Sequence, residues 1–184
     1  MVIPQKIRKF LNIHPGQKVQ VFSVKGRIAF ILVNPPRKMG GVSQGNRHRW
    51  SPGAGQSLNL NVVKSSGWLE YFAEEPNADF FAPPLETPDL FILPSISLLE
   101  VFQRILRQRG EDEALQALAL MMEGRVVDLV ADPAIRAATI GRSEKLPLAD
   151  CVMLATALKF DPLLWSQDGE FENLSGIRFI KEIF

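Results

Sequence analysis

The sequence predicts an α/β protein in which a parallel sheet, flanked by helices, occupies residues 59–184. Short apolar stretches bounded by proline, glycine or polar residues alternate there with longer segments whose apolar residues recur every three or four positions. Strands and helices that alternate in this way form a parallel sheet, because each helix carries the chain back across one face of the sheet. Residues 1–42 instead predict a small helix and a hairpin.

The N-terminal elements follow from local pattern. Apolar residues at helical spacing follow Pro4, and the dipeptide Pro15-Gly16 then interrupts the chain. Strand-like alternation begins at Val19, Lys25-Gly26 forms a plausible turn, and residues 28–33 return as a second strand. About thirty residues bury too little core to fold alone.

Residues 43–58 predict a linker. The segment is dense in glycine, serine and proline and has no helical or strand period. Its tract from Arg47 to Trp50 has residue types that suit nucleic acid, but a disordered linker is favoured because nothing in the tract holds it in shape.

The elements of residues 59–184 are predicted one by one. The predicted strands cover 58–63, 89–93, 125–130, 163–165 and 177–180. The predicted helices cover 66–74, 95–109, 111–122, 132–141 and 147–160. On the helix at 95–109, one apolar stripe is expected to consist of Leu98, Leu99, Phe102, Ile105 and Leu106.

Charge divides the chain at the same place. Residues 1–58 hold ten Lys or Arg and no acid. The remaining residues therefore hold eleven bases and twenty acids, which gives them a formal net charge of −9. This asymmetry indicates a nucleic-acid-binding arm, two halves that attract each other, or simply a solvated basic segment. No apolar run is long enough to cross a bilayer, and the lone Cys151 fits a reducing compartment, so we expect a cytoplasmic protein without membrane contact.

Four positions form a candidate site. Position 64 and Asp168 each lie just past a predicted strand, where sites of parallel sheets gather. Asp150 lies in the first turn of a helix, and Glu100 lies in the helix after the second strand. Clustered carboxylates could hold Mg²⁺ or Mn²⁺, which activates water and neutralises a phosphodiester.

Each acid also has a structural explanation. Glu100 could form an exposed pair with Arg104 one helical turn away. Asp150 could serve only to begin its helix, and Asp168 only to form a turn before Gly169. Spacing alone leaves both interpretations open.

Residues 1–42 resemble part of a known antitoxin domain. Residues 3–8, Ile-Pro-Gln-Lys-Ile-Arg, and 15–19, Pro-Gly-Gln-Lys-Val, are similar to the AbrB/SpoVT/MazE type. Members form dimeric swapped-hairpin barrels that bind operator DNA and pair with a toxin. A strand that precedes the Ile-Pro in the family has no counterpart here. The resemblance therefore implies a truncated remnant, with DNA contact only through an intact antitoxin partner. A frameshift across residues 46–49 would explain how an antitoxin gene became joined to a toxin gene.

Residues 59–184 resemble VapC-type toxins of the PIN family. The similar segments are 62–72 (Val-Val-Lys-Ser-Ser-Gly-Trp-Leu-Glu-Tyr-Phe), 97–101 (Ser-Leu-Leu-Glu-Val), 146–150 (Leu-Pro-Leu-Ala-Asp) and 164–168 (Leu-Trp-Ser-Gln-Asp). The resemblance implies a PIN-like sheet and an Mg²⁺- or Mn²⁺-dependent endoribonuclease that cuts RNA, forms a homodimer and is neutralised by an antitoxin. It also implies that the catalytic and metal-binding acids are Glu100, Asp150 and Asp168, with Ser66 and Ser166 in support.

The first motif departs from the family, which has an aspartate where this chain has Lys64. At about 4 Å and an effective dielectric of about 20, two unit charges interact by about 4 kcal/mol, so Lys64 is expected to repel a metal ion. Three functions remain open: an active ribonuclease toxin, an inactive PIN domain that binds RNA or an antitoxin, and a DNA-binding regulator that uses the basic N-terminal segment.

Overall fold

The computed structural model describes residues 5–10, 13–14, 16–24, 26–33 and 60–183. The chain divides into two compact units, Met1–Arg47 and His48–Phe184, and each is considered by itself. The predicted linker at 43–58 lies outside the described residues, as do Pro4, Lys25 and the first two residues of the strand predicted at 58–63.

The N-terminal unit contains a short helix and an antiparallel hairpin. Helix α1 spans Gln5–Phe10, and strands β1, Val19–Val24, and β2, Arg27–Leu32, pair so that Val24 lies opposite Arg27. Gly26 takes a φ of +74° in the connection, a backbone conformation that favours glycine. The predicted hairpin is therefore confirmed, whereas the likeness to an antitoxin remains a prediction.

The second unit alternates helices with short strands, as the sequence predicts. Its strands are β3, Asn61–Val63; β4, Ile92–Pro94; β5, Arg125–Val127; β6, Leu163–Ser166; and β7, Ile177–Phe179. Its helices are α2, Ser65–Ala73; α3, Ala78–Leu85; α4, Ser95–Gln108; α5, Glu111–Met121; α6, Ala131–Glu144; and α7, Leu148–Phe160. Single 3₁₀ turns lie at Pro88–Leu90 and Gly169–Phe171. Within the described part of the chain, no helix is both long and apolar enough to cross a membrane.

All strand pairs of this unit are parallel. Strand β6 lies between β3 and β7, and β4 pairs with β5. A parallel bridge between Asn61 and Phe91 connects the two groups, which gives the spatial order β5-β4-β3-β6-β7. The predicted fold class, a parallel sheet flanked by helices, is confirmed.

Helices cover both faces of the sheet because successive strand residues point in opposite directions. Val63 and Leu93 belong to one buried cluster, with residues of α2 to α5 such as Phe81. Their neighbours Val62 and Ile92 belong to a second cluster, with Met153 of α7. Strands buried on both faces explain the nearly continuous apolar runs in the sequence.

Two features differ from the sequence-based expectation. Helix α3 was not predicted, because consecutive prolines such as Pro83 and Pro84 usually end a helix. The helix forms nonetheless, and its formation buries the side chain of Phe81 completely. The apolar stripe predicted on α4 is partly wrong, since Leu99 is 61% exposed while Val101 is buried. The face of α4 that packs inward carries Ser97, Val101 and Ile105.

Candidate functional site

Lys64 is fixed at the end of a central strand. It follows β3 directly and is the N-terminal cap residue of α2. Its backbone N–H donates to the carbonyl of Trp165 at 3.1 Å, and its carbonyl accepts from the N–H of Trp68 at 3.2 Å. The start of the Lys64 side chain is therefore held by both the sheet and the helix.

The two aspartates come to the same edge from elsewhere in the chain. Asp150 lies in the first turn of α7, after Pro147, and only 4% of it is exposed. Asp168 follows β6, where its N–H donates to Ser166 Oγ at 3.1 Å and its carbonyl accepts from Phe171 N at 2.9 Å. The predicted supporting residue Ser166 thus orients the backbone of Asp168.

The Lys64 ammonium contacts both aspartates. Its Nζ lies 2.8 Å from Asp150 Oδ1 and donates to Asp168 Oδ2. It also lies 4.8 Å from the centre of the Phe171 ring, a cation–π distance. The side chains of Lys64 and Asp150 are 7% and 5% exposed, whereas that of Asp168 is 25% exposed. We call Lys64, Asp150 and Asp168 the lysine–aspartate cluster.

Electrostatics keep this lysine charged. Burial by itself lowers the pKa of Lys64, but the hydrogen bonds and negative charges of Asp150 and Asp168 outweigh that effect and raise the pKa above its usual value. One ammonium and two carboxylates give the cluster a formal charge of −1 when all three are ionised. The cluster therefore offers no net positive charge to a phosphate.

Glu100 and Ser66 lie in an adjoining groove. The groove has a volume of about 830 Å³ and is lined mainly by α2 and α4, with Gln167 and Glu182 at its border. Glu100 Oε2 and Ser66 Oγ are buried there and have no hydrogen-bond partner. The Glu100–Arg104 pair proposed as the structural explanation is therefore not made by this oxygen.

The residues present do not fit a divalent cation as they stand. Among the described residues, no three or more His, Cys, Asp or Glu side chains are grouped closely enough to hold a metal ion. The space between Asp150 and Asp168 contains the Lys64 ammonium. A Mg²⁺ or Mn²⁺ ion prefers anionic oxygen ligands and would have to displace a tethered positive charge.

Behind Asp168 lies a polar network that sequence analysis missed. Gln167 Nε2 donates to Glu70 Oε2 at 3.0 Å, and Asn77 Nδ2 donates to Gln167 Oε1 at 3.1 Å. Asn77 N–H also donates to Glu70 Oε1 at 2.9 Å. The network ties α2 and the start of α3 to the end of β6. Its partners lie up to 97 positions apart, and a single sequence gives no signal for such pairs.

The fold and site define an α/β protein whose ionisable residues gather at the carboxyl ends of parallel strands, where ligands of such sheets bind. The sequence profile of the PIN domain matches residues 62–177, more than half of the chain. The chain therefore belongs to the PIN-domain family, which confirms the domain-level resemblance. A comparison with curated proteins yields no match.

Solved structures of similar fold include several toxin–antitoxin proteins. A toxin–antitoxin complex from Klebsiella pneumoniae is 18% identical, with a TM-score of 0.55 over 64% of this chain and 95% of that one. VapC20 of Mycobacterium tuberculosis, a toxin that cleaves the sarcin-ricin loop, is 20% identical, with a TM-score of 0.52 over 60% and 92%. DNA-bound VapBC from Salmonella typhimurium is 15% identical, with a TM-score of 0.52 over 66% and 97%. At identities this low, the similarity between these structures and the chain shows a shared fold alone.

Proposed function

We propose that this chain is a PIN-domain protein of the VapC toxin type in which Lys64 holds the ribonuclease centre inactive. Family membership and a fold shared with toxin–antitoxin proteins support the class. The observation that carries the proposed inactivity is the contact of one lysine ammonium with both Asp150 and Asp168. The proposal thus combines a nuclease fold with a site that has lost its nuclease chemistry.

Charge is the reason for the inactivity. Cleavage of an RNA phosphodiester needs positive charge placed where negative charge develops on the attacking and leaving oxygens. In a VapC-type centre, Mg²⁺ or Mn²⁺ supplies that charge, and the acids proposed to hold it are Glu100, Asp150 and Asp168. Here the positive charge of Lys64 is already compensated by two carboxylates, so little remains for a phosphate.

The groove between α2 and α4 supports a binding function. Glu100 Oε2 and Ser66 Oγ are buried polar atoms without partners, and such atoms are costly unless a ligand or water satisfies them. The wall formed by α4 adds Arg104 and Arg107, and α2 adds Glu70. We propose that a cognate antitoxin, or RNA without cleavage, occupies this groove in a cytoplasmic homodimer.

The N-terminal unit has a separate proposed origin. We propose that residues 1–42 are an antitoxin-like segment joined through the linker at 43–58 to the PIN domain at 59–184. Any DNA contact would then depend on an intact antitoxin partner. Sequencing the gene across codons 43–64 tests whether a frameshift joined the two parts.

A ribonuclease assay tests the proposed inactivity. The wild-type chain and Lys64→Asp are incubated with a structured RNA and Mn²⁺. We expect little cleavage by the wild type and clear cleavage by Lys64→Asp, because the substitution removes the competing ammonium and adds a carboxylate. The double variant Lys64→Asp/Asp150→Asn is expected to be inactive. Lys159→Asp makes the same charge change at an exposed position and serves as the matched control.

Two outcomes would contradict the proposal. A wild-type chain that cuts as fast as Lys64→Asp would mean that the ammonium does not inhibit the centre. Cleavage that persists in the double variant would mean that Asp150 is not a catalytic acid, provided that Lys159→Asp, purified in the same way, cuts no RNA and so excludes a contaminating nuclease.

A further inference from the structure

We propose that the Lys64 ammonium is the resident cation of this PIN domain, so that the fold keeps its buried carboxylates together without a divalent metal. The inference rests on the proposed assignment of Asp150 and Asp168 to the nuclease centre, but on no activity of that centre. It concerns folding and metal response, which are measurable whether or not any RNA is cut.

The two carboxylates need a positive partner. Asp150 is 4% exposed, and burial of an unpaired carboxylate is costly. Asp168 adds a second negative charge at the same ammonium. Without a cation, two neighbouring carboxylates repel each other, and one of them must take up a proton or move into water. A positive group at this edge of the sheet avoids both costs.

Lys64 meets that requirement fully. An ammonium has three N–H donors, and here it faces Asp150 Oδ1, Asp168 Oδ2 and the face of the Phe171 ring. Phe171 is completely buried, so the ring that faces the ammonium belongs to the core. No ligand has to be recruited from solution, because the cation belongs to the chain.

The backbone explains why this cation does not leave. Hydrogen bonds to Trp165 and from Trp68 hold Lys64 between β3 and α2, so only the flexible side chain could move. A metal ion entering between the aspartates would force the ammonium out of its buried place and lose both ion pairs. Metal binding therefore competes with an intramolecular contact whose cation is tethered to the chain.

Removal of the ammonium should uncover a latent metal site. In Lys64→Asp the two aspartates lose their internal partner, and a third carboxylate takes its place at the same strand end. The wild type and the variant should therefore differ qualitatively in their response to metal.

Thermal unfolding of the full chain in Mn²⁺, in Mg²⁺ and in EDTA tests the inference. We expect the wild-type melting temperature to be the same in all three. For Lys64→Asp we expect a lower value in EDTA and a rise of about 5–10 °C at a Mn²⁺ concentration about 100-fold above its Kd. Calorimetric titration should show Mn²⁺ binding at least tenfold tighter to the variant. Lys159→Asp should behave as the wild type.

The outcomes separate this inference from the proposed function. A wild-type chain that Mn²⁺ stabilises, or that EDTA destabilises, would overturn the inference, and this measurement depends on no variant folding. Equal Mn²⁺ affinity of the wild type and Lys64→Asp would overturn it as well. A Lys64→Asp protein that binds Mn²⁺ but cuts no RNA would instead count against the proposed nuclease centre and leave the resident cation in place.

Discussion

Replacing Lys64 with methionine removes the ammonium from between the aspartates but keeps an unbranched side chain of similar length. Replacing Asp150 with asparagine removes the opposite charge of one of the two contacts, the one at 2.8 Å between Nζ and Oδ1. Both side chains are at least 93% buried. Lys64→Met therefore strands the Asp150 carboxylate where water cannot easily reach it, and loss of one partner of a buried pair costs about 3–5 kcal/mol. In Asp150→Asn the ammonium keeps its contact with Asp168, so this change should cost less.

The double variant Lys64→Met/Asp150→Asn should cost much less than the sum of the two single changes. It removes the ammonium and the Asp150 carboxylate together and leaves Asp168, whose side chain is 25% exposed and can be hydrated. Because the contact is buried, we expect a coupling energy toward the upper part of the range of about 0.5–3 kcal/mol that neighbouring residues show.

Urea unfolding of the four proteins, followed by tryptophan fluorescence, measures the coupling. Trp68 and Trp165 are 3% and 6% exposed and report on the core of the PIN domain. The exposed pair Arg136–Asp132 provides the control cycle, because its side chains are 58% and 64% exposed at 3.3 Å. That pair should couple by no more than about 0.5 kcal/mol. Coupling at Lys64 no larger than in the control would refute the reasoning.

Two further predictions follow from other parts of the PIN domain. Gly124→Ala should destabilise the protein by more than about 2 kcal/mol, because the added Cβ would lie 1.8 Å from the Phe91 ring. Gly169→Ala is the control: its Cβ would meet nothing within 4 Å, so stability in chemical denaturation should change by less than about 0.5 kcal/mol. Burial and the nearby Glu86 carboxylate raise the pKa of Tyr71 to about 12, and this is the only tyrosine of the chain. Its tyrosinate absorbance should therefore appear near pH 12 in the folded protein and near about pH 10 in urea. Since the folded state holds this proton more tightly, the associated stability is complete below about pH 10 and is lost as pH rises toward 12. Glu86→Gln should lower the folded midpoint, and an unchanged midpoint would contradict the stated contribution of Glu86.

Local pattern predicted most of the elements because helix and strand periods are short-range properties. The strands that end at Val63 and Ser166 and the helix that carries Asp150 occur where apolar spacing and proline predict them. Their parallel order places these carboxyl ends at one edge of the sheet, so the proximity of position 64 to Asp168 was predictable. Whether residues 3–8 and 15–19 derive from an antitoxin remains a prediction.

Other features depend on packing between distant parts of the chain. Helix α3 contains two consecutive prolines, and only the enclosure of Phe81 accounts for it. The inward face of α4 contains Val101 rather than Leu99, because the neighbouring helices select which part of a broad apolar face is covered. Gln167 and its partners Glu70 and Asn77 form their network from three separate segments.

The sequence by itself determined that this chain carries a parallel α/β domain of the PIN family, and its resemblance to VapC-type toxins predicts that Lys64 stands where the family has its first acid. Only the tertiary structure decided what that lysine does. Lys64 and Asp168 are 104 positions apart, and their contact depends on the register of β3 against β6. The contact of Lys64 with Asp150 depends on how α7 packs against the sheet. Sequence period fixes where a side chain begins, whereas a hydrogen bond requires its end to be placed within a few tenths of an ångström, and that placement comes from the packed core.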